Sequence, residues 1–76
     1  MNKEKLLKDT IGYCAIDIKQ NTLNENIYSF DLKQDLHYQI DELERINFEL
    51  WRVRPIDKET IKVIVRYKGD NKIEQY

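Results

Sequence analysis

Thiols and imidazoles carry much of protein nucleophilic and metal chemistry, and this 76-residue chain has one of each, Cys14 and His37. A cysteine nucleophile needs an accessible, electropositive setting and a base within hydrogen-bond reach. Cys14 instead falls on an apolar stripe with Leu7, Ile11 and Ile18, at spacings of four, three and four, where a thiol behaves as a small inert hydrophobe. His37 lies off that stripe, between Leu36 and Tyr38, and reads as a helix-surface residue. A zinc site needs four nitrogen, sulfur or oxygen ligands at suitable spacing, and no stretch supplies them. No glycine-rich phosphate loop is present either. The residue types therefore predict no enzyme, no metal and no cofactor.

The charged residues are the other candidates. Residues 50–76 carry seven positive and four negative groups, and residues 31–49 carry two positive and six negative. Arg52, Arg54, Lys62, Arg66 and Lys68 would gather on the outer face of a β-hairpin, with Ile64 among them. Such a patch could grip phosphate or an acidic partner, although long basic side chains also guard exposed sheets. Sheet-face RNA recognition needs aromatics beside the cations so that bases can stack. Here Tyr67 and Trp51 have the opposite parity to their basic neighbours. An apolar spot at Ile64 with a basic rim fits a protein partner better. The acidic set, Asp31, Asp35, Asp41, Glu42, Glu44 and Glu49, could imitate DNA phosphates along a helix, but reads first as the wet side of an amphipathic one.

These side chains need elements to position them. Residues 47–69, NFELWRVRPIDKETIKVIVRYKG, read as two strands and a turn. In the second strand Ile61, Val63, Val65 and Tyr67 alternate with Lys62, Ile64, Arg66 and Lys68, the period of a half-buried strand. In the first strand Phe48 and Leu50 share one parity and Trp51 and Val53 the other, so a one-residue bulge near Leu50–Arg52 is needed to reconcile them. Pro55 ends the strand and 56–59 form the turn. A two-stranded ribbon is marginal alone in water, so other elements must cover it.

Residues 2–20 predict a helix capped by Asn2, with Gly12 counting against it and a strand over 10–19 as the alternative. Residues 26–30, NIYSF, form a short strand or an extended lead-in. A second helix is expected over 31–46: Asp31 and Gln34 have capping-box spacing, Leu32, Leu36, Ile40, Leu43 and Ile46 form the strongest stripe in the chain, and Asp41 faces Arg45. The tail over 72–76 could return as an edge strand. The expected fold is a single α+β domain over 1–76, with two helices on one face of an antiparallel sheet centred on the C-terminal hairpin, in the order α-(β)-α-β-β-(β).

A chain this short buries roughly 60% of its unfolded surface, so one small core is expected. The near-neutral charge of −1 excludes a generally basic nucleic-acid-coating protein. One cysteine, no continuous apolar run at the N-terminus and no long apolar segment predict a cytoplasmic protein without a membrane span.

The end of the chain, VIVRYKGDNKIEQY, and the lead-in NENIYSF resemble the phage uracil-DNA glycosylase inhibitor family. That resemblance covers about a third of the chain. It implies two helices on an antiparallel sheet and an acidic DNA mimic without catalysis, with Glu25 at the position that faces the enzyme. The chain departs from that family in being nearly neutral and in offering one strand fewer.

The sequence taken together predicts a non-enzymatic protein-binding domain: an inhibitor, accessory or antitoxin-like factor of a bacterium or phage. The expected contact is Arg52, Arg54, Lys62, Ile64 and Arg66, with a homodimer through the hairpin edge as a use of the same region. A DNA-mimic inhibitor and a nucleic-acid-binding module are the alternatives.

Overall fold

The computed structural model describes residues 2–69. Helix α1 spans Lys3–Ile11. Its first turn is closed by Asn2, whose Oδ1 accepts from the Lys5 amide at 3.0 Å, satisfying an otherwise orphan donor. Glu4–Lys8 and Lys5–Asp9 pairs one turn apart line its wet side, while Leu7 and Ile11 are buried.

The helix stops well short of the expected residue 20. Gly12 donates to the Lys8 carbonyl at 2.8 Å, and Cys14 and Ala15 both turn back onto the Ile11 carbonyl. The chain then enters strand β1, Ile16–Gln20. Helix and strand thus divide the segment that the sequence offered to either. Glycine and the β-branched residues beyond it favour the division, and pairing with a second strand satisfies the backbone that a longer helix would have satisfied internally. Three asparagine side-chain contacts shape the turn after β1: Asn21 Oδ1 accepts from Leu23 and Asn24, and Asn24 Oδ1 from Asn26, the local bonding that fits this residue to turns.

Strand β2, Ile27–Lys33, is longer and more central than the short strand expected at NIYSF. It absorbs Asp31, Leu32 and Lys33, which the sequence assigned to the second helix. They pair with Lys62, Ile61 and Thr60 respectively, so the ladder outcompetes the expected capping box, and Asp31 is no N-cap. What remains of that helix is a 3₁₀ helix, Gln34–Ile40, then the four-residue α2, Asp41–Glu44. Arg45 pairs with Glu42 at 2.9 Å rather than with Asp41. The stripe nevertheless faces inward: Leu43 is buried, and Leu36, Ile40 and Ile46 pack against the core. Tyr13 donates to Gln39 Oε1 at 2.5 Å, joining the end of α1 to the 3₁₀ helix.

Strands β3, Phe48–Pro55, and β4, Thr60–Tyr67, form the expected hairpin. Its turn is closed by Asp57, whose Oδ1 accepts from the Glu59 and Thr60 amides. Among the described residues the sheet is antiparallel with order β1-β2-β4-β3. The β2–β4 pair is therefore its centre, and the hairpin supplies one central strand and one edge, which corrects the hairpin-centred arrangement. The observed order is α-β-β-(3₁₀/α)-β-β. The tail strand expected over 72–76 lies outside the described residues.

One core holds the molecule together. Tyr28, Phe30 and Leu32 from β2 and Ile61, Val63, Val65 and Tyr67 from β4 form the inner face of the sheet, joined by Leu7 and Ile11 of α1, Leu43 of α2 and Phe48 of β3. No helix among the described residues is long and apolar enough to cross a membrane.

Candidate functional site

The bulge expected in β3 is present. Leu50 lies opposite Val65 and Arg52 opposite Ile64, leaving Trp51 as the extra residue. Because a bulge flips the parity of every later residue in its strand, Phe48, Leu50 and Val53 all share the inner face, opposite Tyr67, Val65 and Val63. Arg52 and Arg54 share the outer face, opposite Ile64 and Lys62. All five residues singled out from the sequence, Arg52, Arg54, Lys62, Ile64 and Arg66, are thus neighbours on one face.

Their charges are not equivalent. Lys62 Nζ lies 3.0 Å from Asp31 Oδ1, and Arg66 Nε lies 2.7 Å from Glu49 Oε2. Both carboxylates stand directly across the ladder on the same face, from β2 and β3. Half-exposed pairs of this kind contribute little to stability, about 0–1 kcal/mol, but they cancel the local field. Arg52 and Arg54 are exposed and make no ion pair among the described residues. The outer face is therefore a charge-balanced surface with two free guanidinium groups on its β3 side, not a uniformly basic patch. The balancing Asp31 was invisible in sequence because it was assigned to a helix.

The feature that the sequence reading missed is beside those arginines. Among the eight large apolar side chains exposed in the described residues, four lie in one stretch: Leu50, Trp51, Val53 and Ile56. Trp51 is 57% exposed. Large aromatics of small domains usually sit in the core; the signal for exposure here was the break in alternation itself. Leu50 and Val53 are on the inner face but remain exposed. They line an open groove of about 440 Å³ together with Ile40, Ile61 and His37. On its far side β3 has no neighbouring strand among the described residues.

The acidic residues do not form a single stripe. Asp31 and Glu49 lie on the sheet, Glu42 pairs with Arg45, and Glu44 approaches Lys68 at 3.6 Å. Glu25 is exposed in the β1–β2 turn, not on the first strand. Cys14 is half-buried and its Sγ donates to the Ile11 carbonyl at 3.3 Å. Burial pushes its thiol pKa up, against a weaker lowering by the backbone bond, the reverse of what a nucleophile needs. His37 is exposed and its Nδ1 donates to the Gln34 carbonyl at 3.1 Å. Among the described residues no group of three or more His, Cys, Asp or Glu is placed to hold a metal ion.

Comparison with known protein families, with curated proteins and with solved structures finds no match to this chain.

Proposed function

We propose that this chain is a small non-enzymatic protein-binding domain, an inhibitor or accessory factor, that works through the β3 edge of its sheet. The observation that carries the reading is the run of exposed apolar side chains, Leu50, Trp51 and Val53 on β3 and Ile56 in the turn that follows it, on a strand whose far edge is unpaired among the described residues. An exposed edge strand can accept a partner strand through its main chain, while pockets for alternate side chains set specificity. Trp51 between the groove residue Leu50 and the free Arg52 supplies the residue types that dominate contact energies. The sequence-based contact is retained in Arg52, Arg54 and Ile64. Lys62 and Arg66, already neutralised, contribute less.

The test is affinity capture from a cell extract with the tagged chain and two variants, Trp51→Ala and Arg54→Glu, beside an Ile16→Ala control on the opposite edge. Capture should be lost, or fall at least tenfold, in both β3 variants and persist in the control. Equal capture by all four proteins sinks the reading.

Exposed Trp51 beside Arg52 and Arg54 also favours a second reading, a single-strand nucleic-acid-binding module, since it places an aromatic ring next to cations after all. Such binding must weaken steeply with salt. A gel shift with single-stranded DNA at low salt that disappears at moderate salt, and that Trp51→Ala removes, would support it; no shift at low salt rejects it.

A further inference from the structure

We propose that the strand accepted by the β3 edge is the β3 strand of a second copy of this chain, paired antiparallel with Glu49 of each copy opposite Arg54 of the other. The proposal rests on the reading of that edge as a protein contact and names its occupant.

The backbone sets the first condition. Asn47 accepts from the Lys68 amide at 2.8 Å, and the Ile56 amide donates to Thr60 at 2.9 Å. These bonds fix which residues at each end of β3 turn their polar groups toward β4. Alternation inward from both ends, with Trp51 as the extra residue, leaves the N–H and C=O groups of Phe48, Leu50 and Val53 and the C=O of Pro55 directed at the open edge. A second copy must present outward groups at the same places.

One two-fold register meets this condition along the whole strand. With Phe48 opposite Pro55 of the second copy, all eight residues of β3 overlap. Leu50 then faces Val53, and Glu49 faces Arg54. Outward-directed positions meet outward-directed ones, and inner-face residues meet inner-face ones. The bulge does not disturb the match, because Trp51 faces Arg52 in both directions. A one-residue slip sets Glu49 against Val53 and exchanges the faces. A two-residue slip that sets Glu49 against Arg52 brings Leu50 against Trp51 and breaks the hydrogen-bond phase there.

The side chains agree with that register. Arg54 stands opposite Lys62 in its own chain and has no ion pair among the described residues, and Glu49 holds only Arg66 there, so the pairing sets the Glu49 carboxylate beside a guanidinium that lacks one. Opposite charges across a ladder stabilise it, and no pair across the new β3–β3 ladder sets like charges opposite one another. Leu50 and Val53, open in the single chain, cover one another and bring the two apolar grooves together on the helix-bearing face. The other edge is a poorer match: β1 has only five residues, and its register breaks between Ile16 and Lys19, where Asp17 takes a φ of 55°. A β1–β3 contact would also be head-to-tail and would not close on itself as a two-fold contact does.

Two measurements test the proposal. In sedimentation equilibrium the wild-type mass should rise with concentration and level off at twice the chain mass, while Arg54→Glu should remain monomeric at concentrations where the wild type has doubled. For the register, chains carrying Glu49→Cys are mixed with chains carrying Arg54→Cys, both on a Cys14→Ser background. Positions 49 and 54 form a non-hydrogen-bonded pair in this register, the close spacing that a disulfide needs. Oxidation should therefore give a mixed covalent dimer from that mixture, and none from Glu49→Cys with Arg52→Cys. All these substitutions lie on exposed or half-exposed side chains, and circular dichroism checks that the fold is retained. A cross-link favouring the Arg52→Cys partner overturns the pairing. A wild type that stays monomeric while Trp51→Ala still abolishes capture of a foreign protein overturns the dimer and leaves the edge contact standing.

Discussion

Phe48→Ala is expected to destabilise the domain by about 3–5 kcal/mol, the range for deleting a buried phenylalanine ring. Phe48 is fully buried. Its ring meets Tyr28 edge-on at 5.9 Å and Tyr67 at 5.1 Å, and it is the only β3 residue in the core. Removing it opens a cavity between the two central strands and the edge, and forfeits two aromatic contacts together. A domain of this size has a total stability of roughly 4–11 kcal/mol, so the variant should sit near its unfolding midpoint under mild conditions. Urea denaturation monitored by far-ultraviolet circular dichroism measures it. The same truncation three residues later, Trp51→Ala, should change stability by no more than about 0.5 kcal/mol, since the ring is largely in solvent. A Trp51→Ala protein as damaged as Phe48→Ala would mean that the bulge does not place the two rings as described.

That contrast shows where the sequence was legible. Strict alternation in β4 identified Ile61, Val63, Val65 and Tyr67 as the inner face, and all four are buried. The broken alternation in β3 required a bulge at Leu50–Arg52, and the register shifts there. Both are local signals, because side-chain period in a strand is a property of the strand itself. The second helix was misjudged for a non-local reason. Leu32, Leu36, Ile40, Leu43 and Ile46 have helical spacing, yet Leu32 is recruited to β2 by its pairing with Ile61, 29 positions on. Periodicity reports which residues want to be inside. It does not report which backbone partner gets there first, and tertiary pairing overrides helix preference when the ladder is available.

The candidate site divides along the same line. The five outer-face residues could be grouped from the parity of one hairpin. Their net charge could not, since the carboxylates that neutralise Lys62 and Arg66 come from β2 and from the far side of the bulge. The exposure of Trp51 and Leu50 depends on β3 being an edge. The sheet order makes it one, because β2 takes the place beside β4. A surface defined by what fails to cover it is the hardest feature to read from a single sequence, and here it is the one that carries the functional proposal.

Leu43→Ala should cost about 2–5 kcal/mol, and its effect should be uneven across the molecule. Leu43 is the one buried side chain of the whole 3₁₀–α2 segment. A four-residue helix has no stability of its own, because nucleation is unfavourable and only packing holds so short a helix in place. The surface contacts around it, Arg45–Glu42 and Lys68–Glu44 at 3.6 Å, are exposed and too weak to substitute. The segment should therefore open locally before the sheet unfolds. Amide exchange reads this directly. The amides of Arg45, Ile46 and Asn47, which donate to Glu42, Leu43 and Glu44, should exchange much faster in the variant. Tyr67, which donates to Asn26 at the end of the central β2–β4 pair, should track only the global loss. Leu32→Ala removes the same atoms from β2 and should instead accelerate both groups equally, because a central strand cannot open alone. If Leu43→Ala also accelerates both groups equally, the 3₁₀–α2 segment is part of the cooperative core rather than a cover tied down at one point. The groove wall beside Leu50 and Val53 would then be as rigid as the sheet, and partner binding at β3 should be indifferent to Leu43.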